Sequence, residues 1–292
     1  MNHIAIILGS SFSKKAPQFI HTQARIFQTP WGEATLYQVL TPCHTNGKAW
    51  IIYRHGLPHK YLPHQINFRA YIHALQQVGC NALITCSSVG VLDPNVPLFR
   101  PLFAADLLMP DQRLPSGEVC TMFDVPQKKQ GHLVLQGPIF SRALQQQIVE
   151  LTQGLSIDWG PNVNFAYVVG PRTKTALENH YWLQLGAQVN SMSIGPEVVL
   201  AQEVGIPTVA LLVGHKYSSI NSQAFRTPQA SQTSMLTQAD TASQTDTASQ
   251  ADTASQAMQQ SLIDARQAIE SIITLLIQHG QTVTFDHYLY RF

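Results

Sequence analysis

The chain has 292 residues, 45% of them apolar and 12% charged, with a formal net charge of +1. That is enough apolar material for one sizeable core, and the charge balance leaves no electrostatic footprint for nucleic acid. No apolar run approaches the roughly 18 residues that a bilayer span needs.

The first elements are short and apolar. Residues 4–8 read as a buried strand; the run has no basic flank and no small-residue cleavage site, which argues against a signal peptide. Residues 49–53 and 82–86 read the same way, brief, partly β-branched and bounded by turn residues. Between them, residues 64–78 predict a helix, with Ile66, Ala70, Ala74 and Val78 at every fourth position and Tyr71 and Leu75 widening the stripe. A second helix is expected over residues 141–151, and further strands over 164–169 and 206–213. The four cysteines, Cys43, Cys80, Cys86 and Cys120, have no metal-type pairing and read as reduced thiols. A cytoplasmic protein without nucleic-acid or membrane partners is therefore expected. Strands alternating with helices favour an α/β fold, a central mixed sheet flanked by helices, with an α+β arrangement as the alternative.

Residues 227–260 differ in kind. Three tandem hexads run from 239 to 256, each close to Ala-Asp-Thr-Ala-Ser-Gln. Such residues bury little apolar surface against the entropy of ordering, so a disordered low-complexity insertion is expected. An amphipathic helix is expected over 261–279, with Gly280 as its stop. Residues 1–226 and 261–292 then form a single domain interrupted by a loop.

Three strand ends carry groups suited to a phosphate. Gly9-Ser10-Ser11 combines a glycine turn with hydroxyls. Arg54-His55-Gly56 offers a planar guanidinium. Ser87-Ser88-Val89-Gly90 follows a third strand, although such serines also cap helices. Taken together they predict an anion site at one edge of a sheet, where open α/β folds bind ligands. No nucleophile-elbow motif points instead to a hydrolase.

The segment Arg54-His55-Gly56-Leu57-Pro58-His59, followed by Pro63-His64-Gln65-Ile66-Asn67-Phe68-Arg69-Ala70, resembles the purine nucleoside and S-methyl-5'-thioadenosine or S-methyl-5'-thioinosine phosphorylases of the trimeric type. Gly170-Pro171-Arg172, Glu178 and the block Ser191-Met192-Ser193-Ile194-Gly195-Pro196-Glu197 are similar to further motifs of that family. The resemblance implies a phosphorylase-like fold, a homotrimer, and a pentosyltransferase that uses inorganic phosphate as co-substrate with no other cofactor. It implies phosphate binding by Ser10, Arg54, His55, Ser87, Ser88 and Ser193, with Met192 packing under the ribose. His59 matches a family histidine.

The base side departs from the pattern. Where the family carries Asp or Asn this chain has Lys216, preceded by His215, and the positions after Gly170-Pro171-Arg172 are Thr173 and Lys174. Lysines only donate, which suits N7 and O6 of a 6-oxopurine and suits adenine poorly. Lys216 and His55 are the expected catalytic groups, and Met192, Thr173, Lys174, His215, Lys216 and Ser218 the expected nucleoside contacts. Two readings stay open: phosphorolysis of a purine nucleoside, or a phosphorylase-like binding protein that has lost turnover.

Overall fold

The computed structural model describes residues 3–10, 21–40, 47–123, 131–218 and 246–291, with the backbone alone for 246–259. The elements in chain order are β1 (His3–Leu8), β2 (Thr22–Thr29), β3 (Gly32–Val39), β4 (Lys48–Tyr53), α1 (Phe68–Gln77), β5 (Ala82–Val91) and β6 (Pro101–Leu108). There follow β7 (Gly131–Val134), α2 (Arg142–Leu151), β8 (Val163–Tyr167), α3 (Ala176–Gln184), β9 (Val189–Ser191), α4 (Gly195–Glu203), β10 (Thr208–Tyr217), α5 (Asp246–His279) and β11 (Tyr288–Arg291).

Among the described residues, nine strands form one mixed sheet in the order β10-β6-β8-β9-β5-β1-β4-β3-β2, and β10 also pairs with β5. That extra pairing curls one end of the sheet shut through β5, β10, β6, β8 and β9, which leaves those strands no open edge. At the centre, β1 runs parallel to both β4 and β5, and β5 runs parallel to β10. The C-terminal ends of β1, β4 and β5 therefore emerge side by side.

Helices cover both faces, as expected for an α/β fold. One core packs Phe68, Tyr71, Ile72 and Leu75 of α1 and Val198, Leu200 and Ala201 of α4 against Ala5, Ile7 and Ile52. The other packs Leu144 and Ile148 of α2 and Ile269, Ile272, Ile273 and Leu276 of α5 against Ile4, Ile6, Ile51 and Ile84. Full burial of each such side chain contributes about 1.5–3 kcal/mol.

Boundaries shift where local chemistry intervenes. The helix expected from residue 64 starts at Phe68, because the Asn67 side chain accepts from the Ala70 N–H as an N-cap, and Pro63–Gln65 forms a separate single turn. Ser141 caps α2 by accepting from the Leu144 N–H. The expected strands at 164–169 and 206–213 fall at Val163–Tyr167 and Thr208–Tyr217. The helix expected from residue 261 begins at Asp246 and takes in the last of the hexads. Its alanines and glutamines are good helix formers, and adding residues to a packed helix avoids the cost of nucleation. The expected insertion up to residue 245 lies outside the described residues.

Among the described residues no helix is long and apolar enough to cross a membrane, and no group of three or more His, Cys, Asp or Glu is placed to hold a metal.

Candidate active site

The strand ends emerge into a cavity of about 620 Å³. Ser10, His55, Ser87, Ser88 and Ser193 are among the residues that line it, as are Thr173, Lys174, Met192, His215, Lys216 and Ser218. Every site residue expected from the sequence is thus brought to one cavity, except Arg54.

Arg54 is fully buried behind the wall. Its Nε donates to Glu197 Oε1 at 2.5 Å, and its Nη2 donates to Glu197 Oε2 at 2.9 Å and to Thr85 Oγ1 at 2.7 Å. Nη1 donates to the Cys86 carbonyl at 3.0 Å, and Thr85 also donates to Glu197. The guanidinium expected at the phosphate is thus bonded here to Glu197, Thr85 and Cys86 rather than lining the cavity. A buried cation must be paired, and Glu197, itself 1% exposed, takes the fork that sequence reasoning offered to phosphate. Arg54 ties the end of β4 to β5 and α4 next to the cavity-lining Ser87. Glu197 was missed in the sequence, although a carboxylate within an apolar helix signals a buried partner.

Gly9 lets the three strands close up. A methyl group there would lie 2.9 Å from Arg54 Nη1 and 3.1 Å from the Cys86 carbonyl oxygen. The Gly9 N–H donates to that same carbonyl, and the Arg54 N–H to the Leu8 carbonyl.

Hydroxyls meet across the wall. Ser87 and Ser193 Oγ are 3.2 Å apart, and Ser191 and Ser193 Oγ are 2.9 Å apart. Ser87 Oγ donates to the Ser88 carbonyl at 3.0 Å. An anion would turn these rotatable hydroxyls from neutral partners to charge-assisted bonds roughly twice as strong. Ser193 is held by a tight turn: Ile194 has φ +73° and ψ −55°, and the Gly195 N–H bonds the Ser193 carbonyl at 2.9 Å. This is a strained three-residue turn, kept in place because the Ile194 side chain is fully buried. Asn179 of α3 and Asn190 and Ser191 of β9 also line the cavity and were not expected.

His55 Nδ1 is 2.8 Å from the Tyr61 carbonyl oxygen, which can only accept, so Nδ1 carries the proton. Burial lowers the pKa of His55, outweighing the Tyr61 bond, and the Arg54 charge and His59 add to that effect. Its ring stacks on that of His59, with centroids 4.6 Å apart. Neutral His55 thus offers Nε2 as an acceptor, suited to the P–OH of hydrogen phosphate.

On the opposite side, Lys174 Nζ donates to the carbonyls of Val169 at 2.7 Å and Arg172 at 3.3 Å. Burial lowers its pKa. Two of its donors are thus engaged by the loop, while the side chain lines the cavity as expected from the sequence. Glu178, which followed the Gly-Pro-Arg motif, pairs with Arg172 at 2.6 Å and caps α3 through Thr175. Arg172 holds the Glu178 carboxyl down at about 2. Lys216 is exposed along the cavity mouth, and Ser218 lies across Gly90, its N–H bonded to the Val91 carbonyl at 2.7 Å.

Among the described lining residues there is no carboxylate and no cysteine. Hydroxyls clustered beside a cavity can position an anion for group transfer.

The chain belongs to the phosphorylase superfamily, whose family model matches residues 3–264. It is a nucleoside phosphorylase by class, a pentosyltransferase. The S-methyl-5'-thioadenosine phosphorylase of Thermofilum pendens is 31% identical over 203 residues, 68% of this chain and 73% of that one. A protein of Thermodesulfovibrio yellowstonii named "Probable S-methyl-5'-thioinosine phosphorylase" is 27% identical over 74% of this chain and 78% of its own length. The fold matches that of methylthioadenosine phosphorylase from Schistosoma mansoni in complex with tubercidin, with a TM-score of 0.72 at 17% identity, over 95% of this chain and 91% of that one.

Proposed function

We propose that this enzyme cleaves a purine 5'-methylthionucleoside with inorganic phosphate, giving the free base and 5-methylthioribose 1-phosphate, and that it favours a 6-oxopurine over adenine. The observation that carries this reading is the convergence of Ser10, His55, Ser87, Ser88 and Ser193, with Met192 and Lys216, on one cavity. The names of the relatives support the methylthio substrate.

In the reaction, a phosphate oxygen forms a bond to C1′ as the C1′–N9 bond breaks, and the electron pair of that bond leaves with the base. The proton of hydrogen phosphate ends on the departing purine, so charge balances. Ser10, Ser87, Ser88 and Ser193 hold the phosphate, Arg54 stiffens its cradle from behind, and His55 Nε2 accepts the P–OH. Held against C1′, the dianion meets the positive charge that develops on the sugar, an interaction stronger in the transition state than before it. Fixing the two reactants in line removes part of a bimolecular barrier, up to about 7–11 kcal/mol in ideal cases. Lys216 donates to N7 or O6 as negative charge builds on the base. Met192 packs under the ribose, and Thr173, Lys174, His215 and Ser218 border the base.

Lys216, a side chain that only donates, supports the 6-oxopurine preference. We further propose a homotrimer. Leu177, Tyr181 and Leu185 form an exposed apolar stripe along α3, next to exposed Val169, and an uncovered stripe of this kind marks a protein contact. The buried free thiols of Cys80, Cys86 and Cys120 favour a reducing, cytoplasmic setting.

The test is phosphate-dependent release of free base from methylthioinosine, inosine and methylthioadenosine. Release from methylthioinosine fastest is expected. Preference for the adenine nucleoside would remove the 6-oxopurine assignment, and no base from any of them would remove the whole proposal.

A further inference from the structure

The end of β10 breaks its own ladder. Its parallel register against β5 pairs Val213 with Ser88 and Gly214 with Val89, then resumes with Lys216 opposite Gly90 and Tyr217 opposite Val91. His215 is the surplus residue, a β-bulge. In a regular strand His215 and Lys216 would point to opposite faces. The bulge suspends that alternation, and both side chains line the cavity.

The imidazole of His215 is fixed. Its Nδ1 lies 2.9 Å from the Val89 carbonyl oxygen, and a carbonyl only accepts, so Nδ1 bears the hydrogen. In the neutral ring Nε2 is then a bare lone pair, and no described residue is recorded as donating to it. The other ionisable groups lining the cavity are Lys216 and Tyr217, next in the chain, and Lys174, His55 and His59, with no carboxylate among the described lining residues. Burial, reinforced by the Lys216 charge, holds the pKa of His215 below the usual histidine range despite the Val89 bond. At neutral pH this ring is an acceptor standing next to an ammonium donor.

We infer that His215 is a specificity-determining residue of this enzyme: its Nε2 accepts the N1–H of a 6-oxopurine while Lys216 meets the O6 and N7 edge. This rests on the phosphorolytic reading of the same cavity. A 6-oxopurine presents acceptor, acceptor and donor in the order N7, O6, N1–H. Adenine replaces O6 by an amino donor and carries a bare N1, so it would set donor against ammonium and lone pair against lone pair. The pair selects by mismatch as well as by match.

The decisive probe is a base that differs only at N1. Phosphorolysis of inosine and 1-methylinosine is compared for the wild type, His215→Phe and His215→Gln. The wild type should favour inosine by about tenfold or more in kcat/KM, the worth of one directed hydrogen bond. His215→Phe, which keeps the ring and loses the acceptor, should bring the ratio near unity. His215→Gln, whose amide oxygen accepts, should retain most of it. A His215→Phe ratio equal to that of the wild type overturns the assignment while leaving phosphorolysis intact. If no nucleoside is cleaved, the phosphorolytic reading fails separately, and calorimetry on the wild type decides. Tighter binding of hypoxanthine than of 1-methylhypoxanthine supports His215 as the reader, and equal binding overturns it.

Discussion

Gly9 and Ser193 mark the two ways in which single residues set the anion wall. At Gly9 the constraint is space: any side chain meets the Arg54 guanidinium and the Cys86 carbonyl, both anchored in the core. Gly9→Ala is expected to prise β1 from β5 and raise KM for phosphate by an order of magnitude or more, as read from initial rates at varied phosphate. At Ser193 the constraint is the hydroxyl. Its removal by Ser193→Ala should cost about 1.5–3 kcal/mol of phosphate binding, the range for a hydrogen bond to a charged group, with little change in KM for the nucleoside. Arg54 and Glu197 act on stability as well. Glu197→Gln leaves the guanidinium without its countercharge, and about 3–5 kcal/mol of unfolding free energy should be lost, measured by chemical denaturation. Arg54 also shows where sequence reading stopped. An arginine at a strand end was legible, but its destination was set by a glutamate 143 positions away in the chain, which no local pattern reports.

Among the elements, the central strands β1 and β4 were legible as short apolar runs, whereas β5 was read only to Cys86 because Ser87 and Ser88, which lie within it, interrupt the apolar run. The helix α1 was legible from its four-residue spacing but not its Asn67 cap, which moves its start to Phe68, and α2 fell where a helix was expected over 141–151. The hairpin β2–β3 was not. β2 is mostly exposed, with Ile26 turned to solvent, so it lacks the alternation that betrays a half-buried strand. β9 is three residues long and exists only because β5 and β8 flank it. The bulge in β10 was equally invisible, since it is a property of register between two strands and not of either alone. Asn67 links two of these elements: besides capping α1, its Nδ2 donates to the Trp31 carbonyl in the β2–β3 turn at 2.5 Å. Asn67→Ala should therefore destabilise by about 1 kcal/mol or somewhat more, seen as a lower denaturation midpoint at unchanged slope.

For the whole molecule, protonation and assembly are the relevant variables. His3, His55, His73 and His215 all have pKa values lowered from 6.5, burial being the leading cause in each. The unfolded chain then binds more protons than the folded one as pH falls through that value, so stability should rise with pH across this window and be lost progressively below about 6.5. Thermal unfolding at pH 5, 6 and 7 checks the sign. The α3 stripe should hold copies together, so Tyr181→Glu is expected to lower the mass measured by light scattering from that of a trimer. The strand β10 carries a different lesson, because what it contributes depends on how many residues it has. Excising His215 would let the ladder run on uninterrupted and restore strict alternation, leaving one group facing the ligand where a matched pair now stands. The hydroxyl floor, supplied mainly by other strands, would be untouched. Discrimination between bases is thus exposed to an insertion or deletion of a single codon, a larger step than any exchange of one side chain for another.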